Sequence, residues 1–152
     1  MSASQEVLFN QLEFIRKATL GCVEGVTAEQ ADIIPAGYNN NIRWNLGHIY
    51  LDQFLWLQHL TKEPAPIPEG YRDWFNYQTS PADFTSDTPS LDELKELLAG
   101  QIQIIRETYA NRLDEEFPAT ELGMHTVGQV LVRTVFHEGI HIGAMAAIRR
   151  QL

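Results

Sequence analysis

Between Thr126 and Arg150 runs a stretch of helical character that is apolar on nearly every side, and no other feature restricts the fold as strongly. At about 100° per residue, Val130, Ala144 and Ile148 share a face with His137 and His141, while Gly128, Val135, Gly139, Ile142 and Ala146 lie opposite. A helix with two apolar sides has to be covered twice. One side calls for the other helices of a bundle. The small residues of the other side suit either a second copy of the chain or an aromatic segment of the same chain.

Helical spacing recurs upstream. Leu8, Leu12, Ile15 and Cys22 predict a first helix from Ser4 to about Val23, with Ser2-Ala3-Ser4-Gln5 as its capping box. Thr27-Ala28-Glu29-Gln30 has the same form and predicts a short helical turn, which Pro35 and Gly37 end. A second long helix starts after Asn39-Asn40-Asn41 and runs to about Lys62. Ser90-Leu91-Asp92-Glu93 caps a third, with Leu94, Leu98, Ile102, Ile105 and Tyr109 as its buried stripe and an end before Pro118. Thr126-Val127-Gly128-Gln129 opens the fourth, and Arg149 and Arg150 complement its C-terminal partial charge.

Five of the seven prolines lie between Pro64 and Pro89, which forbids a continuous helix there. The same segment carries Tyr71, Trp74, Phe75, Tyr77 and Phe84, too much aromatic area for a solvated linker. It reads as an ordered crossover that covers the core or closes over a site. With no strand pattern, residues 1–152 predict one all-α domain, a four-helix bundle with a long crossover between the second and third helices.

A net charge of −9 opposes a nucleic-acid partner, since phosphate binding needs a concentrated basic patch. The Lys and Arg residues form no long run, which also opposes an anionic membrane surface. Cys22 is the only cysteine, so an intramolecular disulfide and a thiolate metal cage are excluded and a reducing cytoplasm is expected. The first residues lack a basic segment followed by an apolar one, and no apolar run approaches the roughly 20 residues of a membrane span.

The chemistry-bearing pattern is His137-Glu138-Gly139-Ile140-His141. On a helix, a separation of four turns the second imidazole by about 40° and lifts it by about 6 Å, so both rings face one side and form a chelate for a divalent metal. His48 lies on the core-facing stripe of the second helix with Trp44, Asn45, Asp52 and Leu55. His59 is near it in angle but about 16 Å further along the axis, so one ion cannot take both. The zinc-protease reading, with Glu138 as base, lacks its downstream pattern: Gly143 comes one residue early, and no His, Asp, Glu or Cys follows His141. A third ligand is expected upstream. Buried as a group, three imidazoles each need a partner, and a metal ion satisfies all of them at once.

Trp44-Asn45-Leu46-Gly47-His48 and His137-Glu138-Gly139-Ile140-His141-Ile142-Gly143 resemble the two signature segments of the DinB/YfiT-like superfamily of metalloenzymes, and the resemblance covers nearly the whole chain. It implies a four-helix bundle, a homodimer, and His48, His137 and His141 as ligands of a divalent metal, zinc or nickel. It also implies thiol transferase chemistry, in which a low-molecular-weight thiol such as bacillithiol attacks a small electrophilic substrate. Asp52 either orients a ligand or pairs with Arg133, one turn before His137, and Arg133 is a candidate for substrate binding. Trp44 and Asn45 shape the substrate pocket or pack in the core. Two other functions compete. One is a metal-dependent hydrolase with Glu138 or Asp52 as base. The other is a non-catalytic binding or stress-response module whose metal is structural or absent.

Overall fold

The computed structural model describes residues 1–152 and contains six α-helices, one short 3-10 turn and no strands. The helices are α1 (Ala3–Cys22), α2 (Ala28–Ala31), α3 (Ile42–Thr61), α4 (Tyr71–Phe75), α5 (Leu91–Tyr109) and α6 (Val127–Arg149). Five starts lie where the polar caps place them. Ser2, Thr27, Asn41, Ser90 and Thr126 each accept a hydrogen bond from the third amide of their helix. Such a cap is worth about 1 kcal/mol and sets the chain direction at entry. The second long helix stops at Lys62, which takes a left-handed φ of 61° and hands the chain to Pro64.

The four long helices α1, α3, α5 and α6 pack around one core, with α6 against both α1 and α3, and α5 against the same two. Their directions follow from end-to-end contacts. Arg43 at the start of α3 donates to the carbonyls of Thr88 and Pro89 just before α5, and Arg112 just after α5 pairs with Glu63 just after α3. Helices α3 and α5 are therefore parallel, which is why a long crossover has to join them. Arg149 donates to the Cys22 carbonyl, bringing together the C-terminal ends of α1 and α6, so these two are parallel as well.

The crossover contributes to the core. Phe75 is fully buried, Tyr71 and Trp74 nearly so, and α4 lies along α3. Gly47 permits this approach, because a β-carbon there would overlap the Phe75 ring. Helix α5 buries the stripe that its spacing predicts, Leu94, Leu98, Ile102, Ile105 and Tyr109.

Two expectations shift. The buried stripe of α1 is Phe9, Leu12, Arg16 and Thr19, continued by Val23 at its C-cap; of the predicted stripe Leu12 is buried, while Leu8, Ile15 and Cys22 lie on a neighbouring face and are only half-buried. An arginine occupies the core side. On α6 the side carrying Val135, Ile142 and Ala146 is partly covered, with α1 close enough for the Cys22 thiol to reach the Ile142 carbonyl. The apolar residues of α6 that face outward are Val132, Phe136 and Ile140, at 59%, 69% and 53% exposure. No helix is long and apolar enough to cross a membrane.

Candidate metal centre

Antiparallel packing of α3 against α6 brings together residues one helical turn apart on each. Along α3 these are Trp44, His48 and Asp52, with Asn45 beside them; along α6 they are Arg133, His137 and His141. The three predicted ligands converge. Nε2 of His137 lies 3.2 Å from Nε2 of His48 and 3.2 Å from Nε2 of His141, and one nitrogen from each ring falls within 4.8 Å of the others.

The opposite edge of each ring faces an oxygen. Nδ1–H of His48 donates to the Phe75 carbonyl at 2.7 Å, and Nδ1–H of His141 donates to Oδ1 of Asn45 at 2.8 Å. Asn45 is itself oriented, since its amide donates to the Asn41 carbonyl and to Oδ1 of Asn40. Nδ1 of His137 lies 3.1 Å from Oδ2 of Asp52. The Phe75 and Asn45 contacts place the proton on Nδ1 of His48 and His141 and leave the Nε2 lone pairs of those two rings directed inward, the state a metal ligand requires. Trp44 stacks on His48, with ring centroids 4.7 Å apart and planes 10° from parallel, and donates to Thr79.

Burial keeps the rings neutral. His137 is lowered to about 3, first by desolvation and then by the charges of His141, His48 and Arg133. His141 is lowered to about 4 by desolvation and the His48 charge, and His48 also falls because of burial, against a raising effect of the Phe75 carbonyl. Burial raises Asp52 to about 6, against the lowering pull of Arg133 and Trp56.

The donor set fits a divalent transition ion. Two nitrogens held at about 2.0–2.1 Å by a tetrahedral zinc stand about 3.3 Å apart, close to the 3.2 Å of the His48–His137 and His137–His141 pairs, with all three nitrogens within 4.8 Å of one another. His48, His137 and His141 would hold the ion, and they line a cleft of about 1090 Å³ that is open to solvent. Three protein ligands facing an open space is the pattern of a reactive site, whereas structural zinc sites are usually closed by four.

Other predicted residues fall in different places. Asn45 is fully buried behind His141 and orients it. Asp52 and Arg133 line the cleft, yet they form no ion pair; Asp52 sits against His137 and Arg133 lies over the Trp56 ring at 4.4 Å. His59 pairs with Glu121 at 2.8 Å in the same cleft and is not one of the three converging rings.

Glu138 points away from the cleft. Its carboxylate accepts from Arg16 Nε at 2.8 Å, Arg16 Nη2 at 3.2 Å and Thr19 Oγ1 at 2.6 Å, and it is 2% exposed. Arg16 also donates to the Leu98 carbonyl and to Gln53, which donates to Thr134. One buried network thus ties together all four long helices. Sequence reading missed Arg16, although the spacing Leu12, Arg16, Thr19 places it on a helical face opposite a glutamate already in view. The Phe75 carbonyl left no such signal, because a backbone acceptor has no residue signature.

The sequence profile described as "DinB superfamily" matches residues 11–145. A solved structure titled as the conserved protein of locus from Enterococcus faecalis shares the fold with a TM-score of 0.72, at 15% identity over 99% of this chain and 97% of that one. No curated protein matches the chain in sequence.

Proposed function

This chain belongs to the DinB superfamily, and from that premise we propose that it is a divalent-metal-dependent enzyme that joins a low-molecular-weight thiol to a small electrophile. The observation that carries the reading is the convergence of three neutral imidazole nitrogens at an open cleft. Zinc or nickel bound there would bring a thiol to its reactive thiolate near neutral pH. The residues of the chain do the rest. Phe75 and Asn45 hold His48 and His141 in the binding tautomer, and Asp52, with a carboxyl raised to about 6, lies beside His137 where its Oδ2 can accept a proton. Trp44, Trp56 and Tyr77 give the cleft apolar walls for a substrate body.

Bacillithiol, cysteine and glutathione offered with 1-chloro-2,4-dinitrobenzene test the proposal. Zinc- or nickel-loaded protein is expected to raise conjugation above the uncatalysed rate with at least one of them, and His48→Ala to abolish the gain. Background rates with every thiol and both metals would overturn the transferase reading.

We further propose that the exposed stripe Val132, Phe136 and Ile140, with Phe14 of the neighbouring parallel helix, is the contact of a homodimer. Light scattering on eluting protein at micromolar concentration should return twice the chain mass, and Phe136→Glu should return the chain mass. A wild-type monomer would remove the proposal. The single cysteine suits a reducing compartment such as the cytoplasm.

A further inference from the structure

The chain has 20 acidic and 11 basic residues, yet Lys62, Arg72 and Arg133 converge on the cleft that holds the three imidazoles. None of these three makes a salt bridge within the chain. Two carboxylates share the cleft. Glu121 is taken by His59, and Asp52 lies against His137.

Arg133 is the most informative of the three. Its guanidinium lies over Trp56, and its Nη1 has no hydrogen-bond partner within the chain. The stacking fixes the plane of the fork, and the fork matches an oxyanion with two oxygens in one plane. Arg133 also stands one turn before His137 on α6, about 6 Å away along the axis and on the same face.

We propose that the substrate taken by this cleft carries a carboxylate that docks on Arg133, with its reacting atom directed along α6 toward His137. Arg72 and Lys62 form the outer cationic rim that captures the acid as it enters, and Trp44, Trp56 and Tyr77 receive its apolar body. The assignment rests on the reading of this cleft as the reaction site, and it adds the class of molecule, a small organic acid with an apolar or aromatic body.

Tryptophan fluorescence tests it without any turnover. The probes are ω-phenylalkanoates with two to five carbons in the acid chain, each paired with its neutral amide, titrated into the full-length protein as purified and again after chelation. In both preparations at least one acid is expected to bind about tenfold or more tightly than its amide. Arg133→Gln should remove that preference while keeping the helical circular dichroism, and Arg133→Lys should restore part of it. Equal binding of every acid and amide, or a preference that survives Arg133→Gln, would overturn the proposal. An acid preference that disappears on chelation would assign recognition to the metal instead of Arg133 and would likewise overturn it. Failure of the metal reading shows elsewhere, as an absence of metal in the protein, and leaves the acid preference standing.

Discussion

Protein carrying His137→Ala together with His141→Ala is expected to fold as a helical protein and to retain no stoichiometric zinc or nickel, against about one equivalent in the wild type. The two rings supply two of three converging nitrogens, and His48 alone provides no chelate. Folding should survive because both imidazoles are only half-buried and no core contact depends on their charge, which burial keeps at zero near neutral pH. Mass spectrometry of metal content, on untagged protein purified without chelator, reads the outcome. A thermal melt gives a second reading: ligand at about a thousand times its Kd adds about 4 kcal/mol, so zinc should raise the wild-type Tm and leave the mutant unmoved. Equal metal in both proteins would refute the three-histidine centre.

Glu138→Ala should be the more damaging change to stability, by about 3–5 kcal/mol, although it removes no proposed ligand. The loss leaves the Arg16 guanidinium, with a side chain 4% exposed, without its counter-charge among four helices. The exposed pair Arg112–Glu63 offers the contrast, since solvent screens its attraction and little is lost when one partner goes. Replacing both partners, as in Arg16→Met with Glu138→Leu, should recover much of the loss, because an apolar pair carries no desolvation cost. Urea denaturation with intact metal content checks all three. Glu138→Gln separates structure from catalysis: retention of metal and activity with reduced stability matches the geometry. Loss of activity at full stability and full metal would return Glu138 to the role of base.

Both predictions turn on the pentapeptide from His137 to His141, and they mark where local pattern suffices. The spacing of two histidines on a helix fixes their common face whatever surrounds it, so the chelating pair is legible from the sequence. The glutamate between them is turned about 100° away, and what that direction meets depends on which helix packs there. Arg16 meets it, from a residue 122 positions distant in the chain. The same distinction holds at His48. Its place on the core-facing stripe follows from periodicity, whereas the carbonyl that fixes its tautomer belongs to Phe75, delivered by a crossover whose proline content forbids a helix but does not state a path.

Helix starts were legible because a cap is a local bargain between one side chain and the first free amides, and Ser2, Thr27, Asn41, Ser90 and Thr126 all keep it. The stripe of α1 was legible only to within a neighbouring face, since Arg16 is a charged residue whose burial becomes tolerable only once Glu138, Leu98 and Gln53 surround it. The sequence by itself determined the four long helices, the long connection between two of them, and the three histidines on inward stripes, because each depends on spacing along one helix or on a neighbouring cap. Only the tertiary structure decided that those histidines meet, that Asn45, Asp52 and Phe75 orient them, and that Arg133 is left unpaired in their cleft. Each of these is a contact between distant segments, set by how whole helices pack and therefore not encoded in any single local pattern.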